Sequence, residues 1–222
     1  MKKIISIVLI FLIVIALVLT PLFIKVRVDC KTQYGECPNQ ILEKISPLTG
    51  KNLWLAKKGI KKYLKSEFLV SDYSIQYKIP NILHVEILIK KAFAALRDNR
   101  SGNIVLVDGT GKVLSTSQDS ALPTVLLGSN LPEVGTNVDT STLLALKLVE
   151  GIYQMYQVNE SLIDNSTLLV ELPGQIKVIF PLEGESEILL GALRLIYSKV
   201  REDGNLAGYS QIDLRYKNPV LR

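Results

Sequence analysis

Histidine is nearly absent from this 222-residue chain: His84 is the only one, and it stands between Leu83 and Val85 in an alternating, strand-like stretch. A hydrolase with a histidine base has one residue to use, and nothing local pairs it with a nucleophile. Cysteine is scarce too. Cys30 and Cys37 are further apart than a C-x(2-4)-C zinc knuckle allows, and His84 is distant in sequence, so no metal ligand set is indicated. The glycines of Asp108-Gly-Thr-Gly111 match neither the G-x-G-x-x-G nor the G-x-x-x-x-G-K-[ST] phosphate loop. Serine-containing stretches have the character of turns and strand edges, not of an elbow that exposes a nucleophile. Glu183, Glu185 and Glu187 sit beside a glycine as a polar turn and helix start. No catalytic residue, cofactor or small-molecule substrate is therefore assigned, and the chain is not expected to be an enzyme.

Charge is also missing where it matters most. Ile4 to Ile24 carries no charged residue, and as a helix that run would be roughly 31 Å long, against a bilayer core of about 30 Å. It lacks the short apolar region and A-x-A-like site of a signal peptide, so the expectation is an uncleaved, single-pass transmembrane helix over residues 4–24 behind a short cytoplasmic tail, residues 1–3. Basic residues flank the run almost equally, Lys2 and Lys3 against Lys25, Arg27 and Lys31. The cysteines tip the balance. A disulfide between Cys30 and Cys37 would indicate an oxidising, extracytoplasmic side, and two free thiols are the alternative. The formal charge of +5 and a pI near 9.1 permit binding to anionic lipid or polymer, while nucleic acid is not expected on that side of a membrane.

With 48% hydrophobic residues and nine tyrosines, residues 25–222 can bury a core. Lys25 to Asp29 alternates as a short strand, and Pro38 opens a short helix ending near Ser46-Pro47. After the Gly50-Lys51-Asn52 turn, Leu53, Ala56, Ile60, Tyr63, Leu64 and Phe68 recur at helical spacing. Lys57, Lys58, Lys61, Lys62 and Lys65 fill the other face, as a solvated surface or as a contact for anionic headgroups. Two strands, 71–78 and 82–89, flank the Ile79-Pro80-Asn81 turn, so the segment has the order β-α-α-β-β. Beyond residues 90–94 the pattern changes. A hairpin over 104–114 precedes a helix over 141–157, strands at 166–172 and 175–180, a helix over 186–200 and a last strand at 211–216.

Several of these stretches resemble the FtsQ/DivIB cell-division proteins. Gly50-Lys51-Asn52-Leu53 and the following helix are similar to the family's G-x-N-L stretch. Tyr77 to Asn81 with Val85-Glu-Ile resembles its proline turn between paired strands. Asp108-Gly-Thr-Gly111-Lys-Val113 is similar to its D-x-x-G-x-V hairpin, Leu122-Pro123 to a later Leu-Pro, and Ile212-Asp-Leu-Arg-Tyr216 is the most specific element. The Cys30 to Cys37 loop and the short N-terminal tail depart from the family pattern.

The resemblance implies an α+β protein with a POTRA domain over residues 25–92 and an FtsQ-type β domain over residues 93–222, mixed but with a largely antiparallel sheet. It implies a bacterial division scaffold at the septum that binds FtsB- and FtsL-type partners outside the cytoplasm and helps couple septal wall synthesis to division. Independently of the resemblance, the last strand is terminal in sequence and is expected at a sheet edge, where Arg215, Tyr216, Lys217 and Asn218 would be the partner contact through β-augmentation, Arg215 meeting a partner's carboxylate. The alternative is that Asp213 and Arg215 pair on the exposed face while Ile212, Leu214 and Tyr216 pack inward. The competing expectation is a POTRA-containing envelope-assembly or secretion adaptor, spread around the envelope instead of gathered at midcell.

Overall fold

The computed structural model describes residues 23–202 and 209–222, and the chain divides into two compact units, residues 1–90 and 91–222. The transmembrane helix expected over residues 4–24 is not supported. Among the described residues no helix is long and apolar enough to cross a membrane, and residues 4–22 of that run lie outside them.

The first unit carries a four-stranded sheet in the order β2-β1-β4-β3, built from β1 (Arg27–Thr32), β2 (Gly35–Glu36), β3 (Val70–Lys78) and β4 (Ile82–Ile89). β1 runs parallel to β4, and β3 runs antiparallel to it. Two helices, α1 (Asn39–Ile45) and α2 (Leu53–Ser66), lie between β2 and β3 in sequence, joined by a 3-10 turn at Ser46–Leu48. Pro38 precedes α1, and Asn52 caps α2, its Oδ1 accepting from the Leu55 N–H at 2.8 Å. Ile41, Ile45, Ala56, Ile60 and Leu64 from the helices meet Leu83, Val85 and Ile87 of β4 in one core. The strand β2 is an addition to the β-α-α-β-β order. It forms because Gly35, at φ +117°, lets the chain reverse after β1. Cys30 and Cys37 are bonded across this hairpin with Cα atoms 5.7 Å apart, and both are buried against the same core.

The second unit holds a nine-stranded sheet in the order β13-β12-β11-β10-β9-β8-β5-β6-β7. Its strands are β5 (Ala92–Asp98), β6 (Ile104–Asp108), β7 (Val113–Ser117), β8 (Thr124–Leu127), β9 (Glu160–Asp164), β10 (Thr167–Leu172), β11 (Ile176–Pro181), β12 (Gln211–Asp213) and β13 (Val220–Leu221). The sheet is mixed: most neighbouring pairs are antiparallel, while β5 with β8, β8 with β9 and β11 with β12 are parallel. The physical reason lies in the connections. The helix α3 (Thr140–Tyr156) carries the chain from β8 to β9, and α4 (Ser186–Glu202) from β11 to β12. A helix that crosses back over the sheet returns the chain in its original direction, so the strands it joins pair in parallel.

Both helices pack on one face, where Leu146, Leu148, Ile152 and Leu193 meet Leu96, Val125, Leu168, Val178, Phe180 and Ile212. Gly151 permits their close approach: a Cβ there would stand 2.4 Å from Leu190 Cδ1. Tyr156 and Tyr197 meet edge to face with ring centroids 5.0 Å apart. The hairpin between β6 and β7 is closed by Asp108, whose Oδ1 accepts from the Thr110 and Lys112 N–H groups, both at 2.9 Å. Gly111, at φ +87°, completes that turn.

Breaking the bond between Cys30 and Cys37, a closure of sequence separation 7, removes a constraint on the unfolded chain of about 2 to 3 kcal/mol. Urea denaturation of the full chain with and without reductant, beside the Cys30→Ala/Cys37→Ala chain, measures it, and both states without the disulfide are expected to unfold at a lower midpoint than the oxidised chain.

Candidate functional site

The strand expected over residues 211–216 is shorter and is not the sheet edge. β12 ends at Asp213, residues 215–218 form an exposed turn, and the chain returns as β13. Ile212 faces Leu221 and Asp213 faces Val220 across that last antiparallel pair. The Gln211 N–H donates to the Arg222 carbonyl at 2.9 Å, and the Arg222 N–H returns a bond to Gln211 at 3.0 Å. β12 is thus flanked on both sides, by β11 and β13, and the outermost strand is β13.

Asp213 and Arg215 lock this turn. The Arg215 guanidinium donates through Nε to Oδ1 at 2.9 Å and through Nη2 to Oδ2 at 2.6 Å, while its backbone N–H donates to Oδ1 at 3.1 Å. Asp213 is only 1% exposed, and the fork of Arg215 holds its carboxyl below the usual carboxylate range against the opposing effect of burial. The edge-strand expectation directs Arg215 to a partner's carboxylate; in the structure the carboxylate it meets is Asp213. Tyr216 is 55% exposed, and the Arg215 guanidinium carbon stands 5.8 Å from its ring centroid. Lys217 and Asn218 are exposed on the same turn. The four residues are brought together, with three of the side chains free of the Asp213 fork.

Next to the turn is a feature that the sequence reading missed. The strand register aligns Leu126, Leu162, Leu169 and Ile179 in one row across β8 to β11. Their strand neighbours Val125, Leu168 and Val178 point into the helix-covered core, so by alternation the row lies on the opposite face. All four side chains are half-buried. They line a shallow groove of about 400 Å³ together with Glu160, Glu171, Lys177 and Gln211. An ion pair marks each end of the row. Leu126 is in register with Arg97, whose Nη1 is 2.9 Å from Glu160 Oε1, and Ile179 is in register with Asp213. The available signal was the apolar pair at consecutive positions, Leu168-Leu169 and Val178-Ile179, which marks strands apolar on both faces.

His84, singled out for its rarity, is buried in the first unit. Its Nδ1 lies 2.8 Å from Asp29 Oδ2 and its Nε2 3.1 Å from Glu86 Oε1. Both ring nitrogens are engaged by carboxylates, and both cysteines by each other. Among the described residues, no group of three or more His, Cys, Asp or Glu side chains is placed to hold a metal ion. No protein-family model matches the chain, and no curated protein matches it either.

Asp213→Asn removes the charge from the fork and is expected to lower stability by roughly 1 to 2 kcal/mol at neutral pH. The folded carboxyl titrates below its unfolded value of about 3.9, so its contribution is complete above that pH and is lost as pH falls through the folded value. Urea midpoints of the unchanged chain and the variant, followed from neutral to strongly acidic pH, should converge at the acid end.

Proposed function

We propose that this chain is a bacterial division scaffold of the FtsQ/DivIB type, held outside the cytoplasm at the cell membrane of the septum, where it binds FtsB- and FtsL-type proteins. The observation that carries the reading is the C-terminal surface of the second unit. An exposed turn with Tyr216, Lys217 and Asn218 is fixed by the fork of Arg215 on the buried Asp213 carboxylate and leads directly into the last strand of the sheet.

A partner strand docks on the outer side of β13, not on β12, because β13 already occupies that side of β12. Tyr216 supplies a rigid aromatic anchor and Lys217 a cation at the rim. The aliphatic row next to Asp213 offers apolar surface to whatever continues from that strand. The bond between Cys30 and Cys37 favours an oxidising compartment, which agrees with placement outside the cytoplasm. The order of strands and helices in the first unit, with α1 and α2 on one face of the sheet, agrees with the POTRA reading. In this role the protein does no chemistry of its own and supports septal wall synthesis by assembling those that do.

Co-purification of the full chain with FtsB- and FtsL-type proteins of the same organism tests the proposal. Tyr216→Ala is expected to weaken capture by about tenfold or more, and Lys217→Glu to weaken it further at low salt than at high salt. Both substitutions leave the Asp213 fork in place. Capture that neither substitution changes would remove the C-terminal turn from the interface, and no capture by the unchanged chain would remove the scaffold reading.

A further inference from the structure

The helix α2 presents two faces of opposite character. Ala56, Ile60 and Leu64 are buried in the core, so the outward face is set by the 100° turn between residues. Trp54, Lys58, Lys61 and Lys65 follow one another along that face, and Leu55 and Lys62 lie beside them. All six are exposed, Trp54 to 54% and Leu55 to 47%. The helix Leu53–Ser66 contains no acidic residue, so these lysines have no carboxylate within their own helix to neutralise them. Lys58 Nζ stands 4.9 Å from the centroid of the Trp54 ring, while Trp54 and Leu55 both remain exposed.

The first turn of α2 also lies where the uncharged run of the sequence ends. The Ile24 carbonyl accepts from the Leu53 N–H at 2.9 Å, and Lys25 bridges to Asn52. An exposed tryptophan and leucine at one end, followed by a row of lysines, are the groups that an anionic lipid surface takes up. Indole and leucine enter the boundary between headgroups and acyl chains, and each ammonium meets a phosphate at the level of the headgroups. A folded acidic protein would satisfy the lysines but offers no reason for two large apolar side chains to stand in water beside them.

We infer that the outward face of α2 docks on a membrane surface rich in anionic phospholipid, with Trp54 and Leu55 inserted and Lys58, Lys61, Lys62 and Lys65 at the headgroups. This contact belongs to the first unit and does not depend on partner binding at the C-terminal turn.

Trp54 is the only tryptophan in the chain, so its fluorescence reports this site alone. The full chain is presented with vesicles of phosphatidylglycerol and phosphatidylcholine, or of phosphatidylcholine alone, each with and without lipids brominated high on the acyl chain. In the anionic vesicles the emission should shift to the blue and be quenched by the brominated lipid, and both effects should fall at high salt. The Lys58→Glu/Lys61→Glu/Lys65→Glu chain, whose changed side chains are all exposed, should lose both effects while its circular dichroism stays unchanged. Two results would overturn the inference. Emission that stays at its water-exposed position in both vesicle types would show that lipid does not reach Trp54 and would leave the lysines to an acidic protein. Quenching that is equal in both vesicle types and insensitive to the lysine reversal would show proximity without recognition of anionic lipid.

Discussion

Both helices of the second unit cover the same face of its sheet, and the unit is shaped by that limit. Both α3 and α4 are crossovers between parallel neighbours, and both land on the same side. The handedness of such crossovers leaves little choice, because two right-handed connections running in the same sense along a sheet fall on one face. The helices bury Leu168, Val178, Phe180 and Ile212 beneath them. What they cannot reach is the row of Leu126, Leu162, Leu169 and Ile179 on the other side, which remains as half-buried apolar surface. A strand apolar on both faces, in a sheet covered on one, leaves surface suited to a second body.

The end of the chain depends on the same arrangement. Because α4 returns the chain in parallel to β11, β12 has room on its outer side, and β13 fills it after a turn of four exposed residues. Such a turn, joining two very short strands, would be loosely held by backbone bonds alone. The Asp213 carboxylate, buried at the end of the aliphatic row, gives it a fixed point: three N–H groups of Arg215 converge on it. Arg215 is thereby a structural residue that holds the turn, and Tyr216, Lys217 and Asn218 stand exposed beside it.

Much of this architecture was legible in the residues, and the failures have identifiable causes. The lysine face of α2 and the hairpin about Pro80 followed from periodicity and turn chemistry, since Ala56, Ile60 and Leu64 fall on one side and the lysines on the other. The parallel pairs within the sheet did not follow, although helices 140–156 and 186–202 between strands already pointed to parallel neighbours. The strand over 211–216 was drawn too long, because Ile212 and Leu214 alternate with Asp213 and Arg215 as a strand would. Leu214 and Arg215 are set in place after the strand has ended, Leu214 through its N–H to the Ile179 carbonyl and Arg215 through Asp213. The contact of His84 with Glu86 lies within one strand, but its contact with Asp29 joins strands far apart in sequence, and no spacing rule could have shown it. The aliphatic row is a product of register between four strands, which local pattern does not determine.

The central claim is that the C-terminal turn and β13 receive a partner in cell division. Hydrogen–deuterium exchange of the full chain, alone and with an FtsB-type protein, tests it most directly. The account predicts slowed exchange at residues 215–222, extending into β12, with little change in β6 and β7 at the opposite end of the sheet. Binding that left residues 215–222 exchanging as in the free chain would contradict it.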